Sequence, residues 1–110
     1  MAESDNQSAR ASDPINLVGP VLRRGEIAEA VAIAAAEDNP GKQIFEDEHS
    51  SYVRIQAEDE CIIRRKSIEK ALGRPFEMQE LELVMSSFAG QIETATDHMR
   101  FFLYRSGQSS

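Results

Sequence analysis

Residues 26–37 read EIAEAVAIAAAE, and this stretch carries the strongest structural signal in the chain. Six of its residues are alanine, the best helix former. Pro40 and Gly41 follow shortly afterwards and end the helix, because proline cannot continue it and glycine permits a turn. Apolar residues recur at the spacing of one helical face, at Ile27, Val31, Ala34 and Ala35. We therefore predict an amphipathic helix whose alanine-rich face packs on the protein's own sheet, with docking on a partner as the alternative.

Extended segments flank this helix on both sides. Residues 17–22 form a short apolar stretch, and Pro20 places it at a sheet edge or a bulge because proline cannot donate to a strand ladder. Residues 42–46 and 52–58 are predicted to be two strands around a polar turn at 47–51. In the second strand, apolar residues alternate with polar ones, as in a half-buried strand, at Val53, Ile55 and Ala57.

The next part of the chain is predicted to continue the sheet and to add a short helix. Asp59 and Glu60 form a tight turn into a third strand at 61–66, which suggests an antiparallel meander. Ser67 offers an N-cap for a second helix. Gly73 is a suitable C-terminal stop for that helix, since glycine tolerates the left-handed conformation there.

The C-terminal part is predicted to contain a further helical turn and a hairpin. The helical turn covers residues 78–81, and the hairpin joins residues 83–93 to residues 98–105 around a turn at 95–97. In its second arm, Met99, Phe101 and Leu103 share one face. The expected fold is thus a small α+β domain: an antiparallel sheet of hairpins or a meander, packed with one long helix and one or two short helices.

Length and composition indicate one domain with two short tails. The chain has 110 residues, of which 41% are hydrophobic and 28% charged, as expected for a single soluble domain. Residues 1–14 are small and polar and cannot offset their ordering entropy by burial, so we expect a flexible, disordered N-terminal tail. Residues 15–105 form the predicted domain, and residues 106–110 form a frayed tail.

Charge and cysteine content exclude several classes of function. The formal net charge is −7, with 19 acidic and 12 basic residues, whereas nucleic-acid binding needs an excess of Lys and Arg for phosphate contacts. No apolar run approaches the roughly 20 residues that cross a bilayer, and residues 1–12 do not resemble a secretory signal. The single Cys61 cannot form an intramolecular disulfide and fits a reducing cytoplasm.

The residues that could support catalysis do not form a recognisable site. Glu46 and His49 make one Glu-x-x-His pattern, but a di-iron centre needs two such patterns on helices and two further glutamates. One cysteine and two scattered histidines provide no zinc-binding spacing, and no glycine-rich phosphate loop occurs. We therefore predict no catalytic, metal-binding or cofactor-binding residue. The alternative is a small acid–base enzyme that uses Asp97 and His98 or Glu46 and His49.

Several motifs, in their order along the chain, resemble one protein family. They are NLVGPV at 16–21, DNPGK at 38–42, YVRI at 52–55, LGRPF at 72–76, MQELE at 78–82 and SFAGQI at 87–92. Together these motifs look like the effector, or coupling, proteins of soluble di-iron multicomponent monooxygenases, closest to the four-component toluene and alkene branch. The resemblance covers about residues 15–104. No single motif is decisive, but the ordered set is specific.

This resemblance implies a mechanism that depends on a partner. Family members carry no cofactor and bind the oligomeric di-iron hydroxylase beside its active site, which raises turnover, coupling and regiospecificity. A Rieske ferredoxin competes for an overlapping surface of the hydroxylase. We expect the free effector to be a monomer. A structural adaptor with no effect on catalysis is the alternative function.

The resemblance also implies which residues dock on the hydroxylase. In the family, the strand matching residues 85–90 lies at the hydroxylase surface. The predicted contacts are Met85, Ser86, Ser87, Phe88, Ala89 and Gly90, followed by a second set made of Asn16, Val18, Gly19 and Pro20. Small groups permit close backbone approach, whereas Phe88 is either an aromatic anchor at the interface or part of the protein's own core.

Overall fold

Seven strands and three helices lie within residues 16–103, the part of the chain that the computed structural model describes. The predicted tails at 1–14 and 106–110 lie outside the described residues. The elements are, in order, β1 (Leu17–Arg23), α1 (Glu26–Asp38), β2 (Phe45–Glu48), β3 (Tyr52–Glu58), β4 (Glu60–Arg64), α2 (Arg65–Leu72), α3 (Met78–Val84), β5 (Met85–Ala89), β6 (Gln91–Thr94) and β7 (His98–Phe102).

The strands form two antiparallel sheets. The larger sheet has the order β2-β3-β1-β5, and the smaller one has the order β4-β7-β6. The α+β class with antiparallel hairpins is therefore confirmed, with hairpins at β2–β3 and β6–β7. The meander stops after β3, because β4 leaves the larger sheet and pairs with β7. Pairing between strands so distant in sequence leaves no local pattern.

Strand β1 lies inside the larger sheet, between β3 and β5, so the expectation of an edge position for Pro20 was wrong. The alternative, a bulge, is found in this segment, although it lies beyond Val21 rather than at Pro20 and its extra residue is on β5. The register with β5 shifts between Val21, which pairs with Ser87, and Leu22, which pairs with Met85. In the ladder to β3, Val18 and Val21 have Cα partners whereas Gly19 and Pro20 have none, so the missing N–H of Pro20 is tolerated in this interior strand.

Helix α1 matches the prediction at its first residue and extends it by one residue at its end. It packs against α2, β3 and β4, so its alanine face is used inside the domain. The residues buried in this contact are Ala28, Ala30, Val31, Ala34 and Ala35. Alanine allows the helix to approach its neighbours closely, which is why this face is rich in small side chains.

The two short helices differ from the prediction at their starts and ends. Helix α2 begins at Arg65, and Ser67 does not cap it, because its hydroxyl donates to Asp38 Oδ1 at 2.6 Å. The predicted stop at Gly73 is confirmed, with a left-handed φ of 77°. Helix α3 extends beyond the predicted turn to Val84, so residues 83–93 do not form one hairpin arm. The start of α3 is stabilised by Glu80, whose carboxylate accepts the backbone N–H of Glu77 at 3.0 Å.

The core includes the inward faces of both sheets and the three helices. In the smaller sheet, Cys61 and Ile63 face the core from β4, and Met99 and Phe101 face it from β7. The predicted apolar face of the last strand is therefore confirmed. None of the helices within residues 16–103 is long and apolar enough to cross a membrane.

Candidate docking surface

Strand β5, the first predicted docking segment, is an edge strand of the larger sheet. Its three central residues, Ser86, Ser87 and Phe88, are exposed, whereas Met85 and Ala89 at its ends are half-buried. One side of the strand pairs with β1, and no other strand among residues 16–103 pairs with its second side. An edge of this kind leaves small side chains and backbone groups accessible to another molecule.

A bulge at Ser86 determines how the serines are presented. Val21 pairs with Ser87 and Leu22 pairs with Met85, so Ser86 is the extra residue on β5. Its hydroxyl donates to the carbonyl oxygen of Val21 at 3.3 Å. A regular strand alternates its side chains between two faces, whereas a bulge breaks this alternation. As a result, two consecutive serines are both exposed.

Phe88 lies partly at the surface and partly against the core, the two alternatives that the sequence left open. Its side chain remains 41% exposed, which makes it one of the exposed large hydrophobic residues of the described chain. Its ring centroid lies 6.0 Å from that of Phe101, a fully buried core residue. This distance is within the range of favourable aromatic pairs. Phe88 is thus held in place by the core and still presents part of its ring to a partner.

The second predicted segment lies beside β5 but is mostly covered. Gly19 pairs with Ala89 and Pro20 with Phe88, so the fold brings the two segments together. Val18, Gly19 and Pro20 are buried, and Asn16 is half-buried with its carbonyl oxygen accepting the N–H of Asp59 at 2.8 Å. The exposed part of the combined surface therefore comes chiefly from β5.

Packing within the domain leaves no room for a side chain at Gly19 or Gly90, two of the predicted docking residues. A methyl group on Gly19 would overlap the carbonyl oxygen of Ile55 on β3. A methyl group on Gly90 would lie 2.6 Å from Val18 Cγ1 and 2.7 Å from the carbonyl oxygen of Phe102. Gly90 also has a φ of 92° and connects β5 of one sheet to β6 of the other. Close packing inside the domain requires both glycines.

The sequence around β5 carries no charge. Residues 83–92 read LVMSSFAGQI and contain no charged residue, although 28% of the chain is charged. Glu82 and Glu93 bound the segment. The centres of protein–protein interfaces are depleted of charged residues, so this pattern is typical of a docking surface. The segment also contains Leu83, which is 77% exposed and was not among the predicted contacts.

His49 lies in the exposed turn between β2 and β3, whereas His98 is the half-buried first residue of β7. The His49 ring stacks on Tyr52 with 4.5 Å between the centroids, and its Nε2 lies 3.0 Å from Asp47 Oδ2. His98 Nδ1 lies 2.9 Å from Asp97 Oδ1, and this hydrogen bond holds the pKa of the Asp97 carboxyl below its usual value. Within residues 16–103, no group of three or more His, Cys, Asp or Glu side chains is placed to hold a metal ion.

Cys61 is fully buried in β4, and burial raises the pKa of its thiol to about 12. Nucleophilic attack needs the thiolate, which this environment disfavours. The prediction of a buried, unreactive thiol is therefore supported by both its position and its chemistry.

Comparison with known proteins identifies the family. Residues 16–102 match the model of the MmoB/DmpM family. The effector subunit of the alkene monooxygenase system of Xanthobacter autotrophicus strain Py2 is 46% identical over 87 residues, which cover 79% of this chain and 86% of that protein. The stimulatory component DmpM of phenol 2-monooxygenase from Pseudomonas sp. strain CF600 is 31% identical over 88 residues, which cover 80% of this chain and 93% of that protein.

Solved structures agree with this result. A chain in a structure of the phenol hydroxylase–regulatory protein complex is 31% identical and superposes with a TM-score of 0.67, covering 80% of this chain and 99% of that chain. Regulatory protein B of soluble methane monooxygenase shares the fold, with a TM-score of 0.60 at 18% identity, covering 86% of this chain and 70% of that one. The resemblance inferred from the ordered motifs is therefore confirmed, and the chain belongs to the MmoB/DmpM family of non-catalytic, regulatory components of monooxygenases.

Proposed function

We propose that this chain is the effector subunit of a multicomponent monooxygenase and binds the di-iron hydroxylase of that system through β5. The observation that carries the proposal is the uncharged, exposed edge strand with its bulged serine pair, in a chain of net charge −7. A related chain at 31% identity comes from a phenol hydroxylase–regulatory protein complex, which supports a hydroxylase as the partner. Bound next to the active site, the effector raises turnover, coupling and regiospecificity.

Within the proposed interface, the exposed residues of β5 make the direct contacts. Ser86 and Ser87 are small and allow the hydroxylase surface to approach the strand, and the half-exposed ring of Phe88 inserts as an anchor. The second predicted set mainly supports β5 from the neighbouring strand β1, because three of its four members are buried. The set consists of Asn16, Val18, Gly19 and Pro20.

The effector acts by preferring one state of the hydroxylase over another. A ligand that binds two states equally tightly shifts no equilibrium, so the docking surface must fit the active conformation better. The coupling is reciprocal. If the effector changes the affinity of the hydroxylase for substrate by some factor, substrate changes the affinity for the effector by the same factor, and the same relation links the effector to the redox equilibrium of the hydroxylase. The chemistry of oxygen activation belongs to the hydroxylase, which also selects the hydrocarbon, an aromatic compound or an alkene.

Three further features belong to the same proposal. The Rieske ferredoxin of the system competes with this chain for an overlapping hydroxylase surface, so electron delivery and effector binding alternate. The free chain is a monomer. The system works in the cytoplasm, where the single Cys61 stays reduced.

Reconstitution tests the proposal directly. The hydroxylase, ferredoxin and reductase of the same system are assayed for product formation and NADH consumption while this chain is added in increasing amounts. We expect a saturable, several-fold rise in product formation and a higher ratio of product to NADH. An adaptor without effect on catalysis would bind the hydroxylase but leave both quantities unchanged at saturation, and that result would refute the proposed function.

A further inference from the structure

We infer that Leu83 on α3 is a second apolar anchor for the hydroxylase, so that the docking surface continues from β5 onto the preceding helix. The inference rests on the proposed function, because it assigns the same partner to an adjoining surface. It adds a contact outside both of the segments to which the family resemblance pointed.

Leu83 projects from a helix whose orientation is fixed. Met78 and Leu81 of α3 are buried, which sets the inward face of the helix. Leu83 follows Leu81 by two positions, a rotation of about 200° around the helix axis at 3.6 residues per turn. Leu83 is accordingly 77% exposed. A leucine held outward on a packed helix loses little freedom when it binds a partner.

Continuity with β5 indicates what covers this side chain. Helix α3 ends at Val84 and β5 begins at the next residue, so no loop separates Leu83 from the docking strand. Between Leu83 and Phe88, Val84 and Met85 are half-buried, Ser86 and Ser87 are exposed, and none of these four residues is charged. Two apolar anchors on either side of small polar residues match the composition of an interface centre, where charged residues are depleted.

A second copy of this chain is a weaker candidate for the occupant. Specific interfaces bury at least about 1,000 Å² in total, and one leucine with part of one phenylalanine supplies only a small fraction of that area. A hydroxylase already bound along β5 would cover Leu83 as part of a larger contact. We therefore assign this side chain to the hydroxylase.

The test compares Leu83→Gln with Ile33→Gln. Ile33 is 58% exposed on α1 and provides a matched control. Glu29 and Glu37 lie one turn away on the same helix face, so Ile33 is in a charged surface, unlike the uncharged segment that contains Leu83. Glutamine keeps helix propensity close to that of leucine, so α3 is retained. Binding to the purified hydroxylase is measured by titration calorimetry, with circular dichroism as the check on folding. We expect Leu83→Gln to raise Kd about tenfold and Ile33→Gln to leave Kd unchanged.

The outcomes separate this inference from the proposed function. If the wild-type chain binds the hydroxylase and Leu83→Gln binds with the same Kd, the inference is wrong and the proposed function stands. If the wild-type chain does not bind, both fail. Sedimentation velocity over a range of concentrations tests whether a second copy of this chain, rather than the hydroxylase, covers Leu83. A dimer of the wild-type chain that Leu83→Gln abolishes, with hydroxylase affinity unchanged, would assign Leu83 to self-association and overturn the inference.

Discussion

Gly19 lies where strand β1 approaches β3 so closely that the carbonyl oxygen of Ile55 occupies the place of a side chain. Its φ of 148° is also one that other residues rarely adopt. The same backbone then pairs with Ala89 of β5. Gly19 therefore controls the spacing of three strands, including the strand that we propose to dock on the hydroxylase.

Replacement of Gly19 with alanine is expected to destabilise the fold. Gly41 provides a control, because it also has a positive φ, of 82°, but has open space around the position of a Cβ atom. We expect Gly19→Ala to lower the free energy of unfolding by about 3 kcal/mol or more and Gly41→Ala by about 1 kcal/mol. Urea denaturation measures both. Equal losses would show that the close approach to Ile55 contributes nothing.

The thiol of Cys61 tests the burial of β4. Burial raises its pKa to about 12, whereas the thiol of the unfolded chain ionises near its ordinary value of about 8.5. The thiol therefore stabilises the fold most below that ordinary value, and this contribution is lost as the pH rises towards 12. At pH 8 we expect Ellman's reagent to react with Cys61 only after urea unfolds the chain. Rapid reaction in the absence of urea would contradict the buried position.

At the scale of the elements, the side chains of Asp38 and Asn39 join the end of α1 to β4, and Asp38 Oδ2 accepts the backbone N–H of Arg64 at 2.8 Å. Asn39 Nδ2 donates to the carbonyl oxygens of Ala35 and Ile62, both at 2.8 Å, and Asn39 Oδ1 accepts the backbone N–H of Ile62 at 2.9 Å. Asn39 is buried, so its polar groups need these partners. This junction links the long helix to the smaller sheet.

Loss of this junction should be costly. Asn39→Ala leaves the Ile62 backbone without its side-chain partner, and we expect the free energy of unfolding to fall by about 2–3 kcal/mol. Glu37→Gln is the control; it removes an exposed ion pair with Lys70 at 2.8 Å and should leave stability nearly unchanged. Thermal and urea denaturation of the two variants make the comparison. A stable Asn39→Ala protein would mean that the hydrogen bonds of Asn39 do not stabilise the contact between α1 and β4.

The elements that could be predicted from sequence are those set by local patterns. Helix α1 follows from alanine content and spacing, and β3 follows from the alternation of Val53, Ile55 and Ala57. The pairing of β4 with β7 could not be predicted, because nothing near Cys61 specifies a partner some 40 residues away. The end of α3 was missed because Leu83 and Val84 fit a strand as well as a helix.

The proposed docking surface was predictable only in part. The motif at 87–92 pointed to β5, which is indeed an exposed edge strand. The burial of Val18, Gly19 and Pro20 depends on strands on both sides of β1 and could not be read from the segment itself. The uncharged run at 83–92 was visible in the sequence and would have drawn attention to Leu83.

At the scale of the whole molecule, the arrangement separates stability from docking. The core lies between the sheets and the helices, whereas Ser86 and Ser87 of β5 are exposed. Changes to those residues should alter the effect on the hydroxylase without unfolding the chain. Ser87 tests this separation best because its side chain is exposed and small.

The most direct measurement is the turnover of the reconstituted hydroxylase as Ser87→Arg is titrated in, with Ser50→Arg as the control. Ser50 is exposed in the turn between β2 and β3, outside the proposed docking surface, so the same charge is introduced elsewhere. We expect Ser87→Arg to keep a native circular dichroism spectrum and to need at least about tenfold more protein for half-maximal stimulation. Ser50→Arg should match the wild-type chain. Wild-type stimulation by a folded Ser87→Arg protein would contradict docking through β5.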